Sequence, residues 1–321
     1  MMLVGLAARD LATTRFAVSP LWEVVASVRV IRQPHRFPEH LPWVERTRPR
    51  LAGLDWRILA DLVPVLTGVM PSFLCPPPST SQPTLDVELA TLAATPAEAV
   101  RAELGAGPRS ARLAELSADP PAGLARLAEV VRAYADAAIG PYWPRMRTLL
   151  EREVLLGAQR MAGDGVAGLL NHLDPYVRLE GDTLHVDHLV VSGAVRLDGR
   201  GLLLVPSVFC GPRVWSNFGS PGQPVLRYPA RAVATLWERD AGPHGRGLAR
   251  VLGRTRAALL HELAVPTSTT ELADRCGLTP GTVSAHLGAL RAAGLVGAHR
   301  AGRFVLYART TAAEALVAAA P

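Results

Sequence analysis

"STTELADRCGLTPGTVSAHLGALRAAG", Ser268 to Gly294, contains two helix starts and two helix stops in close succession. Ser268 precedes a polar first turn with Glu271 at capping-box spacing, and Gly277 supplies the residue that can end a helix of about two turns. Leu278 is the apolar residue of the connection. Thr279 then caps a second helix with Pro280 in its first position, and Gly294 stops it. Two short helices joined by Gly277, Leu278 and Thr279 predict a helix-turn-helix.

The second helix is amphipathic in an unusual way. Val283, Leu287 and Leu290 fall on one side and are expected to pack on the preceding helices, with His286 at the edge of that side. The opposite side holds Gly281, Ala285, Gly288 and Ala292, flanked by Thr282, Ser284 and Arg291. Behind it "LVGAHRAGRFVLYAR", Leu295 to Arg309, reads as two β-type runs around Ala301-Gly302, with Arg300 and Arg303 flanking the tip: a wing. From Arg275 through Ala313 there are five Arg and no acid, which suits a phosphate-facing surface. Upstream, Leu248, Val251, Leu252, Leu259 and Leu263 read as the apolar stripe of one helix whose other side carries Arg246, Arg250 and Arg254.

The run "TTELADRCGLTPGTVSAHLGALRAAGLV" with the wing behind it resembles the winged helix of the ArsR-type bacterial transcription regulators, over roughly Leu248 to Ala319. Farther upstream, "SPLWEVVASVRV", "HLPWV", "PSFLCPPP", "GLLLVPSVF" and "YPARAVATLWE" are similar to large regulators of high-GC actinobacteria that join an uncharacterised N-terminal domain to such a winged helix. The resemblance implies a dimeric, cytoplasmic, nucleoid-associated regulator, by family default a repressor, whose N-terminal part senses a small molecule or mediates assembly. Metal sensors of that family place a Cys-x-Cys pair on the first helix of the motif, whereas Cys276 stands alone there, so neither a metal nor another cofactor is expected.

Composition agrees with a DNA-binding appendage on a neutral body. The 321 residues exceed one ordinary domain, and 49% hydrophobic with 19% charged residues is a globular balance. All 34 basic residues are Arg; with no Lys, Schiff-base, Walker A and Ser-x-x-Lys chemistry are excluded. Residues 1–240 carry 25 Arg against 24 acids and residues 241–321 carry 9 against 4, so the basic excess belongs to the last quarter. Arg usage with 28 Gly and 27 Pro fits a high-GC bacterial gene. Arg9, Asp10 and Arg15 interrupt any signal-peptide core, and Cys75, Cys210 and Cys276 sit at no metal or redox spacing.

The fold class expected is α+β: a mainly helical N-terminal region with a β segment, then the winged helix-turn-helix. Residues 1–240 form a ligand-sensing or dimerisation region, mostly helical over 1–175 and β-containing over 176–240, and 246–321 the DNA-binding domain. Ser19-Pro20 opens a helix, Thr95-Pro96-Ala97-Glu98 has capping-box spacing, and "VRLEGDTLHV" turns as a hairpin at Gly181-Asp182. Trp22, Trp43, Trp56 and Trp143 suit a shared core or, alternatively, an aromatic ligand pocket. "GDGVAG", Gly163 to Gly168, follows a helical pattern and lacks the strand that dinucleotide binding requires; "HVDH", His185 to His188, reads as a polar surface strand. No catalytic set emerges, so no enzyme is expected; an enzymatic or protein-interaction N-terminal domain is the alternative.

For DNA recognition the expected contacts are Thr279, Thr282, Ser284, Ala285, His286, Arg291, Arg300 and Arg303 on double-stranded DNA. With no long side chain at its centre, the second helix cannot make the usual bidentate pairing with a purine. Its backbone can instead approach closely, with Ala285 against a thymine methyl and Thr282 and Ser284 on phosphate or a base edge. Specificity is then expected from Arg300 and Arg303 in a narrow minor groove and from half-site spacing in a dimer.

Overall fold

The computed structural model describes all residues other than 66–69, 106–109, 189–190, 220–221, 238–245, 265, 302–303 and 320–321. The chain folds as two compact units, Met1–Trp237 and Glu238–Pro321. No helix among the described residues is long and apolar enough to cross a membrane.

The first unit begins with strand β1 (Met2–Gly5), helix α1 (Ala8–Ala12) and strand β2 (Arg15–Phe16). The α-helices that follow among the described residues are α2 (Pro20–Arg32), α3 (Leu41–Leu51), α4 (Arg57–Leu62), α5 (Leu85–Ala93), α6 (Ala97–Leu104), α7 (Ala111–Ala118) and α8 (Pro120–Ala138). The long α9 (Trp143–Asn171) leads to β3 (Val177–Glu180), β4 (Thr183–Val186), β5 (Gly193–Arg196), β6 (Leu203–Ser207), β7 (Trp215–Asn217) and β8 (Val225–Pro229). Ser19 caps α2 by accepting from the Trp22 amide, and that helix is buried from Pro20 to Ile31. It is the axis around which α3, α5 and α8 pack.

Two four-stranded sheets complete this unit. One runs β3-β4-β1-β5, with the hairpin turning through Gly181 at φ 59; the other runs β2-β6-β8-β7. In the second, β6 and β8 are parallel and buried on both faces. Leu203 and Val205 enter the helical core with Trp22, Trp43 and Tyr134, while Leu204, Leu226 and Tyr228 join Val4, Leu184 and Val186 in a second core. Such a sheet, covered on each side, reads as the continuous apolar run "GLLLV". Strands β1 and β2, from the mainly helical first stretch, pair with partners that lie beyond residue 180.

One local expectation fails here. Thr95 does not cap α6, because Pro96 sits in extended backbone and the helix starts at Ala97 with no side-chain cap. The Thr95 hydroxyl instead donates back to the Leu92 carbonyl at the end of α5. "GDGVAG", in contrast, lies inside α9 with no strand before it, as its sequence context predicts, and Gly165 at φ 70 interrupts the helix there.

In the second unit α10 (Arg246–Leu252) and α11 (Arg254–Glu262) precede β9 (Thr267–Ser268), α12 (Thr269–Cys276), α13 (Pro280–Ala292), β10 (Val296–Ala301), β11 (Phe304–Arg309) and α14 (Thr311–Ala319). The single upstream helix expected from the leucine pattern is in fact two. Gly253 at φ 87 separates them, which resets the helical phase. Leu248, Leu259 and Leu263 therefore reach the core, but Val251 is 78% exposed. The core of this unit gathers Leu260, Leu272, Val283, Leu287, Leu290 and Val296, and a three-stranded sheet of order β10-β11-β9 flanks it.

Candidate nucleic-acid interface

Local chemistry builds the two helices of the motif. Ser268 Oγ accepts from the Glu271 amide at 3.3 Å, half of a capping box. The other half is missing, since the Glu271 carboxylate takes the Arg275 guanidinium at 2.5 Å instead. Gly277 adopts left-handed backbone at φ 63 and ψ 36, and the Leu278 amide returns to the Ala273 carbonyl at 2.9 Å, closing the end of α12. Thr279 Oγ1 then accepts from the Thr282 amide at 3.3 Å, with the Thr282 hydroxyl 2.9 Å away.

Val283, Leu287 and Leu290 of α13 are buried, and His286 and Ala289 are half-buried at the edge. Gly281, Thr282, Ser284, Ala285, Gly288, Arg291 and Ala292 are exposed. A Cβ built on Gly281 or Gly288 meets nothing within 4 Å, so the bare face is bare because of sequence and not because a neighbour fills it. Behind α13, β10 and β11 pair from Val296 with Arg309 to Ala301 with Phe304. Arg300 is exposed on β10, and Arg303 lies outside the described residues.

The acid-free stretch is less available to phosphate than its charge count suggests. Arg309, only 8% exposed, donates to the Leu260 carbonyl at 2.5 Å and the His261 carbonyl at 2.6 Å and pairs with Glu314 at 3.4 Å. It caps the C-terminus of α11, where a cation meets the negative end of the helix dipole. Arg275 pairs with Glu271 and approaches Glu262 at 3.9 Å. Of the five arginines read as a phosphate surface, two are thus engaged within the unit, while Arg291 and Arg300 remain exposed. Cys276 is half-buried, and burial raises its thiol pKa, which keeps it a neutral packing residue.

Two stretches of the chain match known families: residues 252–296 match one described as "Helix-turn-helix domain", and residues 94–234 match one described as "Family of unknown function (DUF5937)". The C-terminal unit carries a helix-turn-helix domain. That match runs from the end of α10 through α13 to the first residue of β10, and it points to DNA-binding transcription regulation. The second match covers α6 to β8 of the first unit. Neither a curated protein nor a solved structure matches the chain.

The four tryptophans named from sequence as core or pocket residues share one helical core, Trp22 and Trp43 buried within it and Trp56 and Trp143 packed against it. Trp43 is fully buried and donates its indole N–H to the Ala138 carbonyl. Trp56 packs edge-on to Tyr134, and Trp22 lies beneath the Arg227 guanidinium. Trp143 lines a cavity of about 380 Å³ with Val18, Thr84 and Arg147. No cavity described in this unit is lined by all four. His185 approaches Glu180, Asp187 pairs with Arg213, and His188 bonds Ser216, so the "HVDH" side chains are drawn to three separate partners.

Proposed function

We propose that the protein is a sequence-specific DNA-binding transcriptional regulator of the ArsR type, acting as a cytoplasmic homodimer, most simply as a repressor, under control of a small molecule held in the N-terminal unit. The observation that carries the reading is the exposed, capped helix α13 beside an arginine-bearing wing, in a unit where Arg275 and Arg309 are engaged internally while Arg291 and Arg300 are exposed. In this reading Thr279, Thr282 and Ser284 contact phosphate or a base edge, Ala285 meets a thymine methyl, His286 flanks the contact, and Arg291 binds phosphate. Arg300 and Arg303 enter the minor groove from the wing.

Dimerisation is supported by apolar surface that the second unit does not cover itself. Helix α14 buries Ala313 but leaves Leu316 39% exposed, and Val251 on α10 is more exposed still. Two copies would double the charge that meets DNA and impose a half-site spacing, which a helix with so little to read needs.

Selection of random duplexes by the full chain tests the proposal. The expected outcome is enrichment of a two-fold repeated motif with an A·T-rich segment beside each half-site, weakened in preference by replacing Arg300 and Arg303 with Gln. Recovery of duplexes without any shared motif, at low salt and over repeated rounds, would leave the helix-turn-helix as a protein-binding module.

A further inference from the structure

A second site lies wholly within the first unit. A cavity of about 320 Å³ opens between α2, the turns around Phe37 and Ser72, and the strands β7 and β8. Its walls include the apolar side chains of Pro64, Met70, Val214 and Trp215. Two of its lining residues are arginines taken almost completely out of water: Arg29 of α2, 8% exposed, and Arg227 of β8, 3% exposed.

The guanidinium faces are occupied and part of their edges is not. Arg29 stands 4.5 Å from the Trp215 ring centroid and 5.4 Å from that of Phe37, and Arg227 stands 4.4 Å from that of Trp22. Arg227 gives one nitrogen to the Cys75 carbonyl at 2.9 Å, and Arg29 reaches the Gly211 carbonyl only at 3.5 Å, the outer limit of a hydrogen bond. Nε and Nη1 of Arg29 and Nε of Arg227 are buried with no acceptor. Native proteins leave very few buried donors in that state, and fewer still that are charged.

No carboxylate among the described residues lies within ion-pair distance of either arginine. The charges that act on Arg29 belong to the Cys210 thiol and to Arg36, and burial raises that thiol out of the range in which it ionises. Glu88, the acid that acts on Arg227, has its two oxygens engaged by the Ser19 hydroxyl and the Leu21 amide. Arg36 and Arg213 also line the cavity, Arg213 being paired with Asp187, whereas the one carboxylate in the described lining, Glu103, is held by Ser72.

We infer that this cavity binds a small organic anion, a carboxylate on a flat apolar body, with the carboxylate oxygens on Arg29 and Arg227 and the body against Trp215 and Met70. The size falls at the low end of small-molecule sites, and a few convergent donors in an apolar chamber is the usual composition of such a site. Aromatic rings that hold the two guanidinium planes leave the in-plane N–H groups directed and partly desolvated, the arrangement in which Arg binds carboxylate most strongly. As the effector site of the regulator proposed above, the assignment rests on that reading. Its test needs no DNA, so failure of either is seen separately.

The test is calorimetric titration of the full chain with benzoate, naphthoate and indoleacetate, each beside its neutral primary amide, and with inorganic phosphate. At least one acid is expected to bind about tenfold to hundredfold more tightly than its amide, the difference a charge-assisted hydrogen bond makes, and phosphate alone more weakly than that acid. Arg29→Met is expected to remove the preference for acid over amide while raising the thermal midpoint of the unliganded protein, because an uncompensated buried charge is gone. Arg36→Gln, on the exposed rim, is expected to weaken acid binding severalfold and keeps the question open to measurement if Arg29→Met does not fold. Equal binding of acids and amides, no binding of any acid at millimolar concentration, phosphate binding as tightly as the best acid, or unchanged affinity in both variants would overturn the assignment.

Discussion

At the scale of single residues, the first unit stores buried carboxyl groups whose protonation is coupled to folding. Burial pushes Glu88 up from an ordinary 4.5 to about 7 and Glu23 to about 8, against the hydrogen bonds from Ser19 and Leu21 to the first and from Val208 and Phe209 to the second. The folded chain keeps these protons where the unfolded chain has lost them. Their stabilisation is therefore whole below an ordinary carboxyl pKa and is lost as pH rises through 7 and 8. Glu88 alone accounts for at most about 3 kcal/mol of that loss. Glu88→Gln keeps an acceptor oxygen for the Leu21 amide and removes the titrating proton, so denaturation midpoints measured from mildly acid to mildly alkaline pH should fall less steeply in the variant than in the parent; equal slopes would remove Glu88 from the account. His40 acts with the opposite sign. Burial holds it down at about 3, with Nδ1 accepting from the Trp237 indole, so its contribution is present above its ordinary 6.5 and fades as pH drops. In the second unit Arg309→Met should lower stability by about 2–3 kcal/mol in urea denaturation, since two carbonyls at the end of α11 lose charged donors. A loss under about half a kcal/mol would mean that the cap is not a structural support.

At the scale of elements, what could be read from sequence was whatever depends on near neighbours. Ser268, Gly277, Thr279 and Pro280 act within a few residues of themselves, and α12 and α13 begin and end where those residues require. Gly253 shows the limit of periodicity: the leucines on either side of it fit one stripe, but a left-handed φ breaks the helix and turns Val251 outward. Strand β1 carried no readable signal, because its reason to be extended is a pairing with β4 and β5 far along the chain. The Arg29 and Arg227 cavity was illegible for the same reason, being assembled from α2 and β8. Helix α13 offers a test with two opposite signs. Gly288 is an exposed helix-interior glycine with open space around it, so Gly288→Ala should raise stability by about 0.5–1 kcal/mol. Gly288→Leu adds bulk where the helix backbone is proposed to approach the groove and should weaken duplex binding about tenfold or more without unfolding the unit. Fluorescence anisotropy showing unchanged affinity in the Leu variant would mean that this face does not enter DNA.

At the scale of the whole molecule, the basic excess concentrated in residues 241–321 bears on how the protein meets DNA and in how many copies. Arg275 and Arg309 are engaged inside the unit, so it brings fewer phosphate contacts than the nine arginines of residues 241–321 would imply. The binding constant should therefore fall with salt less steeply than a count of arginines suggests. Each phosphate contact contributes roughly 0.9 to the slope of log K against log salt concentration. Arg291, exposed in the last turn of α13, is the phosphate contact proposed above. If the protein binds as the proposed dimer, Arg291→Gln removes one contact from each copy and the slope should become shallower by about 2, with sequence preference retained. A change of about 1 would correspond to one protomer on each duplex and would contradict the dimer, and a change near zero would remove Arg291 from the interface. Arg309→Gln is the control: it should lower stability yet leave the slope of the folded protein as it was, because its charge already belongs to the end of α11.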